Sequence, residues 1–290
     1  MKPKGVSGEE ASRGLEPAMV GAQIVRVEQR RPNLRLPFPN AFATRLEGQS
    51  VVALSRRAKY LLVELANDDI LVMHLGMSGS FRIEGDTSRL QPGVFHHDRS
   101  KAAAHDHVVF VLSNGVQIIY NDPRRFGFML LESREALARH PHFTEIGLEP
   151  LGNELNGEVL LKQFEGVSAP LKAALLNQKK IAGLGNIYVC EALNRAQLSP
   201  QRLAGTLKDL PGKADVLAQI IREVLLEAVE AGGSSLKDHR QADGSLGYFQ
   251  HAFRAYDRVG APCCNEGCVG KIEKITQSGR STFFCATCQI

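Results

Sequence analysis

Six cysteines occur in the 290 residues, and five of them fall in the last 28. Four fit the spacing Cys263-x4-Cys268-x16-Cys285-x2-Cys288. Two short-spaced pairs separated by about 15 to 20 residues are the sequence form of a zinc ribbon, because Zn²⁺ takes four thiolates in a closed tetrahedron. Between the pairs the chain reads as strand, turn, strand and carries a single arginine, Arg280. The expectation is a zinc-clamped hairpin presenting one fixed cation, with one structural Zn²⁺ on Cys263, Cys268, Cys285 and Cys288. Cys264 is an alternative to Cys263, since x3 and x4 loops both suit a metal. Cys190 stands alone in an apolar helical stretch and reads as buried packing. A disulfide framework is disfavoured because Met1-Lys2-Pro3-Lys4-Gly5 lacks the apolar run of a signal peptide, so a cytoplasmic location is expected.

With 43% apolar and 23% charged residues, the chain has the composition of a soluble protein large enough for separate cores. No run approaches the roughly 18 apolar residues of a membrane span. The net charge of +4 says little, but its distribution says more. Arg26, Arg30, Arg31, Arg35, Arg45, Arg56, Arg57 and Lys59 stand against only Glu28 and Glu47 in that stretch, which suits either a polyanion or a solvated face.

The first half reads as β-rich. Residues 51–54, 60–65, 70–75 and 80–83 are short aliphatic runs between polar breaks. Residues 107–112 and 116–120 flank Ser113-Asn114-Gly115, and Asn-Gly between two such runs signals a hairpin. Antiparallel sheets packed as a sandwich or barrel follow, preceded by a helix from a Ser7-x-x-Glu10 capping box to about Gly21. From about Pro150 the periodicity turns helical: Leu161 and Phe164, then residues 171–176, then 187–193. A longer helix carries Leu217, Ile220, Ile221, Val224, Leu225 and Ala228, with Gly232-Gly233 as its stop. Residues 234–250 read as a polar loop.

Several residues carry possible chemistry. Asp122-Pro123-Arg124-Arg125-Phe126-Gly127 follows a strand, and an aromatic flanked by arginines can wedge into a base stack while a guanidinium holds phosphate. The plainer alternative is a surface turn whose Phe126 packs into the core. Period-two alternation puts His105 and His107 on one strand face, where hydrogen bonding or phosphate contact is favoured over metal binding, even with His96 and His97 nearby. Lys59 lies beside Arg57, and neighbouring cations lower an amine pKa. Gly183-Leu184-Gly185-Asn186 exposes helix N-terminal amides to an anion.

Taken in order, these pieces resemble bacterial formamidopyrimidine-DNA glycosylases over about residues 13–290. The carriers are Arg13-Gly14-Leu15-Glu16-Pro17, Arg57-Ala58-Lys59-Tyr60-Leu61-Leu62, His74-Leu75-Gly76-Met77-Ser78-Gly79, Asp122 to Gly127, Gly183-Leu184-Gly185-Asn186-Ile187-Tyr188, and Ser278-Gly279-Arg280-Ser281-Thr282. The resemblance implies an α+β multidomain protein: an antiparallel β-sandwich domain with an N-terminal helix over 1–135, a linker over 136–150, a helix-two-turn-helix domain with a lesion loop over 151–250, and a zinc finger over 251–290. It implies a monomer that binds damaged double-stranded DNA between these parts and acts as a base-excision glycosylase with AP lyase activity on formamidopyrimidine and 8-oxoguanine. Met77, Arg124 and Phe126 would fill the gap left by the flipped nucleotide. Lys59 and Arg280 would be catalytic, and His105, Arg124, Lys172 and Asn186 would hold the DNA backbone. A related oxidised-pyrimidine glycosylase shares the scaffold.

The chain departs from the family at its start. The family opens Met-Pro-Glu, and its proline amine attacks the sugar; here Met1-Lys2-Pro3-Lys4-Gly5 stands in that place, and Pro3 is an internal amide. Two expectations stay open: an altered start on a working enzyme, or a damaged-DNA-binding homologue without the nucleophile.

Overall fold

The computed structural model describes residues 7–76, 78–85, 103–231 and 249–290. Its contacts divide these into two compact units, residues 7–144 and residues 145–231 with 249–290.

The first unit opens with helix α1 (Ser7–Met19) and strand β1 (Ile24–Gln29), followed by the short helix α2 (Phe42–Leu46). Seven further strands follow: β2 (Val51–Arg57), β3 (Tyr60–Leu65), β4 (Asp69–His74), β5 (Ser80–Glu84), β6 (Asp106–Leu112), β7 (Gln117–Asn121) and β8 (Phe128–Ser133). They form two antiparallel four-stranded sheets, ordered β1-β6-β7-β5 and β2-β3-β4-β8. Side chains on a strand alternate between faces, and β3 shows the consequence. Leu61, Val63 and Leu65 enter a core shared with Leu71, Met73, Phe110, Ile118 and Leu131, and with Leu15 and Met19 of α1. Tyr60 and Leu62 face the other way, onto a smaller cluster of Ile70, Val72, Leu137 and Phe143. That outer face is covered by α3 (Arg134–Ala138) and α4 (Pro141–Thr144), with the Ser133 hydroxyl capping α3 by accepting from Ala136 N at 3.2 Å. The Ser113-Asn114-Gly115 turn joins β6 to β7 as the sequence predicts, with Gly115 at φ 84.

The second unit is helical: α5 (Gly157–Phe164), α6 (Leu171–Leu175), α7 (Asn186–Arg195) and α8 (Lys213–Glu230). Asn156 caps α5 by accepting from Val159 N at 2.9 Å. Nearly all of α7 is buried, including Cys190, in keeping with the packing role read from the sequence. The unit ends in the hairpin β9 (Ile272–Gln277) and β10 (Arg280–Cys285). Among the described residues no helix is long and apolar enough to cross a membrane.

Two expectations change. His105 closes a 3-10 turn, Ala103–His105, before β6 begins, so it does not share a strand face with His107. The ladder also slips between Asp106 and Val108, and such a bulge breaks the period-two alternation the prediction relied on. Phe249, expected in a polar loop, is buried in a 3-10 turn and packs at 5.6 Å from both Tyr188 and Phe253. The rest of that loop from 234 to 248, the Gly232-Gly233 stop, Met77, His96 and His97 lie outside the described residues.

Candidate nucleic-acid interface and metal centre

Lys59 sits in the two-residue turn between β2 and β3, where Arg57 pairs with Tyr60. Its neighbour Ala58 has φ 55, a left-handed conformation that costs a non-glycine residue about 1–2 kcal/mol. The Arg56 guanidinium donates to Ala58 O at 2.7 Å across this turn. Much of the surrounding basic excess is paired: Arg26 and Arg30 with Glu28 at 2.5 and 3.2 Å, and Arg45 with Asp69 at 2.9 Å. Part of the positive charge of this stretch is therefore already paired.

The loops bearing Arg124, Phe126 and the residues flanking Met77 meet on one buried carboxylate. Asp122 is fully buried. Its Oδ1 accepts from Ser78 Oγ at 2.5 Å and Arg124 N at 3.3 Å, and its Oδ2 from Gly127 N at 2.9 Å and Tyr120 Oη at 3.2 Å. Ser78 Oγ also accepts from Arg124 N at 3.2 Å. The Asp122 backbone is held too: its N–H donates to His105 O at 3.0 Å, and its carbonyl accepts from His107 Nε2 at 2.8 Å. Gly76 has φ 63, and a Cβ there would meet the Phe126 carbonyl carbon at 2.5 Å and Gly127 N at 2.6 Å. The two loops thus touch backbone to backbone, and only glycine fits. Phe126 is half-buried, not in the core, and the Arg124 guanidinium lies 4.7 Å from its ring centroid. The segment is an exposed turn, but its Phe126 is not packed into the core as the plainer alternative supposed.

Behind these loops His74 stacks on Phe128, centroids 5.0 Å apart. Burial first, then the charges of Lys59 and Arg35, lower its pKa to about 4. It is neutral at pH 7, as required for its Nδ1 to accept from Gly76 N at 3.1 Å.

In the second unit, Gln178 secures the turn before α7. Its Oε1 accepts from Gly183 N at 3.0 Å and its Nε2 donates to Leu184 O at 3.0 Å. Lys172 and Asn186 are both buried. Their hydrogens run to β10: Lys172 Nζ donates to Ser281 O at 3.0 Å and Thr282 Oγ1 at 2.6 Å, and Asn186 Nδ2 to Ser281 O at 2.8 Å. Burial, helped by the Arg280 charge and opposed by Cys190, lowers the Lys172 pKa. Arg280 opens β10 directly after Ser278 and Gly279, at φ 49 and 71, the paired left-handed conformations of a tight hairpin turn.

The sulfurs of Cys263, Cys268, Cys285 and Cys288 lie within 4.8 Å of one another. Cys263 to Cys288 and Cys268 to Cys285 are each 3.7 Å. Metal–sulfur bonds of about 2.3 Å in a regular tetrahedron put sulfurs about 3.8 Å apart, so the four residues fit a metal ion. Asn265 Nδ2 donates to Cys288 Sγ at 3.2 Å and Gly270 N to Cys268 Sγ at 3.4 Å, bonds that favour thiolate. Burial opposes ionisation of Cys285, but amide donors from Cys288 and Thr287 bring it down to about 7. Cys264 is outside the cluster: its exposed sulfur accepts from Arg258 Nη1 at 2.6 Å. Among the described residues this is the one group of three or more His, Cys, Asp or Glu so arranged.

The described residues thus combine two antiparallel sheets carrying a braced arginine–phenylalanine loop, a set of helices and a four-cysteine hairpin. Residues 8–129 match the formamidopyrimidine-DNA glycosylase N-terminal domain and residues 146–240 the formamidopyrimidine-DNA glycosylase H2TH domain. The chain belongs to the formamidopyrimidine-DNA glycosylase family. A formamidopyrimidine-DNA glycosylase of Beijerinckia indica is 63% identical over 287 residues, covering 97% of each chain, and one of Brucella ovis is 58% identical over 285 residues, again 97% of each. Among solved structures, the MutM (Fpg) protein of Thermus thermophilus matches with a TM-score of 0.82 at 36% identity, over 99% of this chain and 98% of that one. The Lactococcus lactis Fpg in complex with DNA containing an abasic site matches with a TM-score of 0.84 at 30% identity, over 99% and 100%.

The Asp122 hub, His74 and the Lys172–Asn186 contacts with Ser281 are absent from the sequence reading. Asp122 stood inside the recognised motif, but its Ser78 partner is 44 residues away, and no local pattern joins them.

Proposed function

We propose that the protein is a base-excision DNA glycosylase with AP lyase activity that removes oxidised purines, formamidopyrimidine and 8-oxoguanine, from damaged duplex DNA. The observation that carries this reading is the braced Arg124–Phe126 pair, within a chain of this family. Flipping a nucleotide costs a few kcal/mol of stacking and pairing, and a wedge held ready before binding offsets that cost. Met77, Arg124 and Phe126 fill the vacated space; His105, Arg124 and the N-terminal amides of α7 at Asn186 contact phosphate. Lys172 joins these backbone contacts and also steadies β10, from which Arg280 grips the phosphates beside the lesion and assists the second elimination. Lys59 donates a proton in strand cleavage. An amine of the chain attacks C1′ of the sugar as the bond to the oxidised base breaks, the base leaves with a proton, and opening of the sugar ring gives the imine.

The metal is one structural Zn²⁺ on Cys263, Cys268, Cys285 and Cys288; with every position filled by protein it shapes the hairpin and takes no part in bond breaking. The protein works in the bacterial cytoplasm as a monomer, with a sandwich domain over 1–135, a linker to 150, a helix-two-turn-helix domain to 250 and the zinc finger beyond.

A lesion panel tests the substrate class. Duplexes carrying 8-oxoguanine or a formamidopyrimidine should be cut faster than those carrying an oxidised pyrimidine, on the order of tenfold or more. Preference for the pyrimidine would assign the related enzyme instead.

A further inference from the structure

We infer that Asp122 and Ser78 are positioning residues that make the two wedge-bearing loops act as one body during lesion extrusion; this rests on the excision reading above. A carboxylate offers about four acceptor sites, and here four donors from three chain segments occupy them: the Ser78 hydroxyl, the Tyr120 phenol, and the amides of Arg124 and Gly127. Neither Asp122 nor Ser78 is exposed, at 0% and 4%, so neither reaches a ligand directly. Gly76 and Ser78 flank Met77 in sequence, and both are fastened to the Asp122–Gly127 loop, one by backbone contact and the other by its hydroxyl. His105 joins the same anchor through its carbonyl.

A wedge opposing the restacking of a base must resist displacement. Were the loops independent, Ser78 and Phe126 would each yield separately. Joined through one buried acceptor, they yield only together.

The test follows extrusion by the fluorescence of 2-aminopurine placed next to 8-oxoguanine in a duplex, against binding to a duplex with an abasic site, where no base has to leave the stack. Ser78→Ala is expected to slow the fluorescence rise about tenfold, the worth of one net hydrogen bond, and to leave the abasic-duplex Kd within about twofold. Tyr120→Phe should act in the same direction, and it carries the test if thermal denaturation shows Ser78→Ala unfolded. Because both side chains bond one carboxylate, the double variant should be slower than the wild type by less than the product of the single effects. Equal losses in both assays would make the cluster merely structural and overturn the inference, as would an unchanged rise rate in a folded variant. A wild-type protein giving no rise contradicts the excision reading as well, so the two failures are distinguishable.

Discussion

Stripping the metal from the four-cysteine site is expected to abolish specific binding to lesion-containing duplex while residues 7–144 stay folded. Four sulfurs within 4.8 Å are stable as thiolates only around a cation. Burial, and then the neighbouring sulfurs, push Cys288 up to about 12, so without metal the cluster reprotonates and the sulfurs separate. Structural Zn²⁺ contributes on the order of 10 kcal/mol to small cysteine-knuckled folds. Losing it frees the turn that places Arg280 and the strand that Lys172 and Asn186 hold. Two phosphate contacts at about 1.5–3 kcal/mol each make the loss about 100-fold or more in Kd. Residual binding should depend less on salt, by about one counterion for Arg280. The sandwich core of the first unit contains no residue of this hairpin, so its circular-dichroism β signal should persist through chelation. Collapse of that signal, or unchanged affinity after verified metal removal, would contradict this division of labour. Cys285→Ser should reproduce the chelation result, and Cys264→Ser should not.

Glu191→Ala is expected to produce the largest stability loss outside the metal site. Glu191 is fully buried in α7, and its carboxylate accepts three successive backbone amides: Arg254 N at 2.8 Å, Ala255 N at 3.0 Å and Tyr256 N at 2.6 Å. Those residues lead directly into the cysteine hairpin. Alanine leaves three buried donors without an acceptor, each costing about 1–3 kcal/mol before relaxation. A net loss of about 3–5 kcal/mol lowers the melting transition of the helical unit by roughly 10 °C. Glu191→Gln keeps one acceptor oxygen and should lose about half as much. Calorimetry checks this, since the transition of residues 7–144 should not move. A variant with unchanged Tm would show that the loop finds other acceptors.

Much of the architecture was legible because its signals are local. Cysteine spacing located the four-cysteine hairpin, Asn114-Gly115 marked the β6–β7 turn, and the recurrence of Leu217, Ile221, Val224 and Ala228 marked α8. Strand β1 was missed for a physical reason. Its ladder slips between Ile24 and Arg26, so Val25 and Arg26 both face solvent and the alternation that announces a strand is broken. The basic stretch from Arg26 to Lys59 looked freer than it is because Arg45 is paired with Asp69, 24 residues away. The same limit hid the bracing of the candidate site. Arg124, Phe126 and Arg280 stood in recognisable motifs, whereas Ser78 reaches Asp122, Lys172 reaches Thr282 and Glu191 reaches Tyr256 across 44, 110 and 65 residues. Motifs show what contacts a ligand; what holds those residues still is long-range.

The most direct measurement of the central claim is borohydride trapping on a duplex containing 8-oxoguanine, followed by mass spectrometry of the linked peptide. An imine between a protein amine and C1′ is reduced to a permanent bond, so excision through an amine nucleophile leaves a covalent adduct, and the peptide identifies which amine attacked. The account predicts a lesion-dependent adduct at an N-terminal amine, not at Lys59, because an α-amine near pKa 8 is neutral in about a tenth of molecules at pH 7 and an ordinary lysine in fewer than about one in a thousand. Tight lesion binding with no adduct would contradict it and leave a protein that recognises damaged DNA without cutting it.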